Sequence, residues 1–204
     1  SATFKQKNVA SLNIDELREK ISLADNPDAV VKATDAIGRL RGQGRAALPD
    51  LIKLTADSDP RVRWHAARSV GLVGEDAVSA IPVLLSLLQD ADPVVATQAA
   101  AAIGRIREDD EQRSLSEEEK ELYADAVTQL VGTLVHNDAR VRRACLRSLQ
   151  SLNPSPEQLM PVVDAVFASQ DSATILPVME SIADMGGDAV PFLIDRLKLP
   201  QGRF

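Results

Sequence analysis

Arginines at helical spacing are the side chains of this 204-residue sequence best suited to hold another molecule. Arg61 and Arg68 flank Trp64 at intervals of three and four, and Arg140, Arg143 and Arg147 repeat that spacing. On a helix such positions share one face. Guanidinium groups beside an indole offer forked donors for carboxylate or phosphate oxygens and a flat surface for stacking. Bond-making groups are scarcer. The two histidines, His65 and His136, lie far apart with no Glu after either, and the sequence contains no His-Glu-x-x-His, no Gly-x-Ser-x-Gly and no glycine-rich phosphate loop. The sequence therefore supplies no catalytic residue, no cofactor-binding residue and no metal ligand set, and reads as non-enzymatic. His65, next to Trp64, is expected to be a helix-surface side chain rather than a ligand.

Composition sets further bounds. Hydrophobic residues make up 45% and aromatics only 3%, too few rings for an ordinary compact α/β core. The net charge of −7 and pI of about 4.9 supply no overall cationic field for nucleic acid or membrane. Cys145, the single cysteine, excludes an internal disulfide and, with only two histidines, a four-ligand structural zinc site. No unbroken apolar run reaches the roughly 20 residues a bilayer-spanning helix needs, so no membrane insertion is expected. The start, Ser1-Ala2-Thr3-Phe4-Lys5, has neither an initiator Met nor an apolar signal segment. The cytoplasm is favoured, with export after signal removal left open.

The elements that position the arginines follow from an internal repeat. Asp59-Pro60-Arg61-Val62-Arg63 followed by Ala66-Ala67, Val70-Gly71 and Val73-Gly74 recurs as Asp92-Pro93 with Val95, Ala99-Ala100, Ile103-Gly104 and Ile106. Related segments start at Asn26-Pro27, Asp138-Ala139 and Asp171-Ser172. Counting from position 27 to 60, 93, 139 and 172 gives intervals of 33, 33, 46 and 33, a period of 33 with one insertion of 13. Each unit adds an upstream apolar segment, such as Leu48-Pro49-x-Leu51-Ile52 and Ile81-Pro82-x-Leu84-Leu85. Both segments have helical period, with Asp or Asn as the cap of the second helix and Pro in its first turn. Two short helices cannot bury their faces alone, so successive units must stack.

These residues resemble the second helix of a HEAT repeat, in the short variety also called phycobilisome-lyase HEAT-like, over about residues 13 to 198. The resemblance implies an all-α fold, a right-handed α-solenoid or α-α superhelix of about five helix pairs plus a partial sixth. It forms one domain, 1–204, with units at about 13–41, 46–74, 77–107, 117–153, 157–186 and a fragment at 188–198. Asn13 to Leu23 is expected to be the first helix of unit one. The chain ends in a half unit, which is either an abbreviated cap or continues beyond Phe204. The insertion, Glu108 to Tyr123, is read as a loop plus an extension of the next helix, with Ser116 and Glu119 forming a capping box. Cys145 aligns with Ala33, Ala66 and Ala99, an inert core position. Gly38, Gly71 and Gly104 also recur and are expected to let helices approach closely.

Charge is distributed by unit position. Windows 27–41, 60–74, 93–107 and 139–153 hold twelve basic and two acidic side chains, a surplus of ten, so the rest of the −7 chain carries −17. The resemblance puts the second helices on the concave surface. Arg61, Trp64, Arg68, Arg140, Arg143 and Arg147 are thus candidate partner-binding residues of a protein-interaction scaffold, the partner being an acidic protein segment. Set against this is a purely structural stripe, with Arg63 and Arg142 at the family position that pairs with an Asp of the neighbouring unit. Two alternatives are a nucleic-acid-binding module similar to HEAT-like DNA glycosylases, and a lyase or chaperone for bilin-bearing proteins.

Overall fold

The computed structural model describes residues 13–109, 114–155, 158–161, 164 and 179. Eight α-helices occupy this part of the chain and pair in sequence. They are α1 (Ile14–Leu23) with α2 (Pro27–Arg39), α3 (Leu48–Leu54) with α4 (Pro60–Val73), α5 (Ile81–Ser86) with α6 (Pro93–Asp109) and α7 (Glu117–Thr133) with α8 (Ala139–Leu152). The second members stack on one another, α2 on α4, α4 on α6 and α6 on α8, while each first member packs on its own partner. The expected unit five and the fragment at 188–198 lie outside the described residues, apart from single positions.

Local signals fix the helix starts. The carboxylates of Asp59, Asp92 and Asp138 accept from the amides of Arg61, Val94 and Arg140, each at 2.8 Å, and Asn26 does the same for Ala29 at 2.9 Å. Pro60 and Pro93 stand in first turns, where a missing N–H costs no bond, and so do Pro49 and Pro82. Asn13 and Glu16 cap α1 reciprocally, and the Ser116–Glu119 box opens α7 as its sequence form implies. The first helices α3 and α5 are shorter than the apolar pattern suggests. The chain enters them through 3-10 segments, Arg41–Ala47 and Gly74–Ala80, in which Ala47, Ala77 and Val78 are already buried. The insertion lengthens α6 as well as α7, each of 17 residues.

A small-residue seam joins the second helices. A Cβ added to Gly38, Gly71 or Gly104 would lie 2.7, 2.6 or 2.8 Å from Ser69, Ala102 or Ser148, so the helices meet where glycine faces a small residue one unit on. Ser69 and Ser148 donate to the carbonyls of Thr34 and Ala100 on the preceding second helix. Behind the seam Ala33, Ala66, Ala99 and Cys145 are fully covered, as are Ile37, Leu51, Ile81, Leu84, Ile103, Leu130 and Leu149. Full burial of a Leu or Ile side chain contributes about 1.5–3 kcal/mol, against about 1 kcal/mol or less for an exposed ion pair. The aliphatic layers therefore hold the stack together.

Pro60–Gln89 contains an 18-residue window of mean hydropathy 1.6, although no unbroken apolar run marks it. It comprises α4, a 3-10 segment, α5 and a final 3-10 turn, broken at Gly74 where φ is 82°, and 61% of that window is buried inside the protein. It is core.

Candidate functional site

Register places the candidate residues in rows across the stacked helices. Asp28, Arg61, Val94 and Arg140 form one row, Val31, Trp64, Thr97 and Arg143 the next, and Asp35, Arg68, Ala101 and Arg147 a third. Cross-helix contacts show that the register holds in space between α2 and α4. Arg61 Nη1 lies 2.9 Å from Asp28 Oδ1, and Arg68 Nη1 lies 3.6 Å from Asp35 Oδ1, each pair 33 positions apart.

The six residues differ in what already engages them. Arg61 pairs with both Asp28 and its own cap residue Asp59, and Arg140 pairs with its cap residue Asp138 at 2.7 Å. These guanidinium contacts hold the Asp59 carboxyl below, and that of Asp138 well below, the usual carboxylate range. Arg68 faces Asp35, which also meets His65 Nδ1 at 2.6 Å. The only two acids of the basic windows, Asp28 and Asp35, are thus the ones set against Arg61 and Arg68. Arg143 and Arg147 are exposed and have no carboxylate partner among the described residues; Arg143 Nε donates to the carbonyl of Ala139 at 3.3 Å.

Trp64 is half-buried, packs against the core and stacks on His65 with ring centroids 3.4 Å apart. It presents part of its ring rather than a free indole. His65 is more enclosed than a surface side chain, its side chain 13% exposed, because Asp35 and Trp64 cover it.

Arg63, read as internal glue, fills that role. Its Nε and Nη2 donate to the two oxygens of Asp90 at 2.8 and 2.9 Å, and Nη1 donates to the carbonyls of Asp57 and Ser58. This fork ties α4 to the loop entering α6. The guanidinium holds the Asp90 carboxyl below its ordinary range. Arg142 keeps the carbonyl contacts, to His136 and Asn137, but its unit lacks the acid, since the position equivalent to Asp90 is Ser169, outside the described residues. In this unit His136 takes the loop position of Asp57 and Asp90 and accepts from the Asp138 amide at 3.0 Å. Cys145 is enclosed in the core, and burial pushes its thiol up to about 12, an unreactive state.

Arg105, one turn beyond Ala101 on the same face of α6, is a residue the charge count included but the candidate list did not. Its guanidinium makes no hydrogen bond among the described residues, and Nη1 is fully enclosed without an acceptor. Burial, and then the like charge of Arg68, pulls its pKa down, with Glu108 opposing. Only tertiary structure reveals this, because the sequence shows Glu108 three positions on as a ready partner, whereas in the fold Glu108 accepts from Ser151 at 2.8 Å.

Comparison with known proteins matches the family of HEAT repeats to residues 14–103. Among solved structures, an engineered protein is similar with a TM-score of 0.64 at 20% identity, covering 92% of this chain and 88% of its own. The complex of CpcE and CpcF of phycocyanin lyase from Nostoc sp. PCC7120 gives 0.58 at 20% identity, covering 82% and 96%. A designed armadillo repeat protein in complex with peptide (KR)4 gives 0.60 at 15% identity, covering 87% and 89%. At these identities the likeness is one of fold. No curated protein matches.

Proposed function

We propose that this chain, whose residues 14–103 are HEAT repeats, is a non-enzymatic scaffold that uses the exposed face of its second helices to hold an acidic segment of another protein. The observation that carries this reading is the pair Arg143 and Arg147, exposed guanidiniums one turn apart with no carboxylate to neutralise them among the described residues. A solvated stripe that served only solubility would not need arginine over lysine. Arginine adds forked, planar donors suited to carboxylates. Stacked helix pairs also present long continuous surfaces on which a second chain can lie. The designed armadillo protein similar in fold holds a peptide of lysine and arginine; rows with arginine at these positions call for the opposite sign.

The same arginines would attract nucleic acid phosphates, and one experiment separates the two. Immobilised protein is used to capture partners from its source, at low and moderate salt, beside Arg143→Glu/Arg147→Glu. The reading expects proteins retained by the native chain and lost by the variant, with capture unaffected by nuclease. Unchanged capture by the variant, or capture abolished by nuclease, overturns it.

A further inference from the structure

We infer that Arg105 is the central anchor of this surface and that it takes a carboxylate from an extended acidic segment crossing α4, α6 and α8. The inference rests on the scaffold reading and deepens it by naming the residue and the spacing of the partner's charges.

The geometry that points there is a contrast between helices. In the three rows above, α4 and α8 carry Arg61, Trp64, Arg68 and Arg140, Arg143, Arg147, while α6 carries Val94, Thr97 and Ala101. Long side chains therefore flank a strip of short ones, all three half-exposed. Packed helices lie about 8–10 Å apart, so the strip is a trough of about 16–20 Å between the axes of its flanking helices. Arg105 stands at the end of that strip, and it is the one basic residue of the face held on α6 itself. Arg105 is half-buried and repelled by Arg68, and no part of its guanidinium has an acceptor among the described residues; Nη1 is enclosed, so a ligand would meet the remainder of the group. A charged group taken from water without a partner is destabilising. Replacing it by an apolar side chain of similar length would relieve that cost, unless a ligand completes it.

A carboxylate fits better than a larger anion. The trough floor is aliphatic, with Val94 and Ala101, so a segment that inserts there needs apolar or small residues between its charges. An extended chain advances about 3.3 Å per residue, so crossing one helix spacing takes about three residues. Glutamates at every third position would then meet Arg68, Arg105 and Arg147 in turn.

The test uses a fluorescein-labelled synthetic peptide of repeating Glu-Ser-Ala and an isomer of equal charge with all glutamates at one end. Binding is read by anisotropy and by emission of Trp64, the only Trp. The native protein is expected to favour the spaced peptide at least fivefold. Arg105→Gln should weaken it tenfold or more, while Arg39→Gln, an exposed arginine on α2, should change it less than twofold. Thermal unfolding gives an independent reading, because Arg105→Met should raise the midpoint while removing peptide binding. Equal binding of both peptides, unchanged affinity in Arg105→Gln, a lowered midpoint in Arg105→Met, or preference for a short duplex DNA over the peptide would each overturn the anchor. If the anchor fails in this way while Arg143→Glu/Arg147→Glu still loses its captured protein, the scaffold reading stands without it.

Discussion

Gly71 faces Ala102 with no room for a side chain between them: a Cβ on Gly71 would sit 2.6 Å from Ala102 Cα and 2.7 Å from Ala102 Cβ. Neither atom can rotate away, so α4 and α6 would have to separate. Gly71→Ala is therefore expected to destabilise the fold by about 1–3 kcal/mol, overpacking outweighing the better helix propensity of alanine. At Gly38 the nearest atom is the Ser69 hydroxyl oxygen, which can swing aside at the loss of its bond to Thr34. Gly38→Ala should cost less than Gly71→Ala in urea unfolding, and the reverse order would mean that the seam is softer than its contacts indicate.

Arg41, Gly74 and Asn153 occupy one repeat position, and all three have positive φ, 49°, 82° and 48°. Asn153 leaves α8 in the left-handed conformation that asparagine tolerates, with ψ 62°, whereas Gly74, with ψ −143°, occupies a region open essentially to glycine alone. Arg41 is strained by comparison. Arg41→Gly should raise stability, by less than about 1 kcal/mol, because glycine recovers the strain and gives part of it back as chain entropy. A lowered unfolding midpoint would show that the Arg41 side chain contributes a contact outweighing its backbone.

The fork between Arg63 and Asp90 gives stability a defined acid dependence. The folded Asp90 pKa lies below its unfolded value of about 3.9. The contribution is therefore fully present above about pH 4 and is lost as pH falls through the folded value. Asp90→Asn should destabilise at neutral pH by about 1.5–3 kcal/mol, the range for hydrogen bonds to a charged group. The gap between native and variant should narrow below pH 4. A gap that stays constant down to pH 2 would remove the ion pair as its cause.

What could be read before folding was whatever the 33-residue period repeats. Asp59, Asp92 and Asp138 cap helices because a cap needs only its own next turn, and Cys145 is buried at a position that is Ala in the three units before it. Departures from the period were harder. The 3-10 entry into α3 and α5 replaces helix that the apolar spacing permits, since Ala47 and Val78 are buried in either geometry. The placing of Asp35 against Arg68 is visible as a 33-residue interval, but its weight is not, because His65 shares the carboxylate. Nor could the isolation of Arg105 be read, since it depends on Glu108 turning to Ser151.

Asp28 and Asp35 neutralise one end of the face, and this makes the scaffold reading testable in the direction of gain. Asp28 holds Arg61, and Asp35 holds Arg68 and His65. Asp28→Asn/Asp35→Asn keeps side-chain size and leaves an amide oxygen to meet His65, so the fold should persist. It releases Arg68 for a partner and leaves Arg61 held by Asp59 alone. Affinity for the spaced glutamate peptide is expected to rise about two- to fivefold at low salt, in line with the modest worth of exposed ion pairs. The gain should fade toward 1 M salt, where screening shortens to about 3 Å. An affinity that falls would mean that Asp28 and Asp35 position the arginines for binding instead of competing with the partner. No change would place the contact with the partner on α6 and α8 alone.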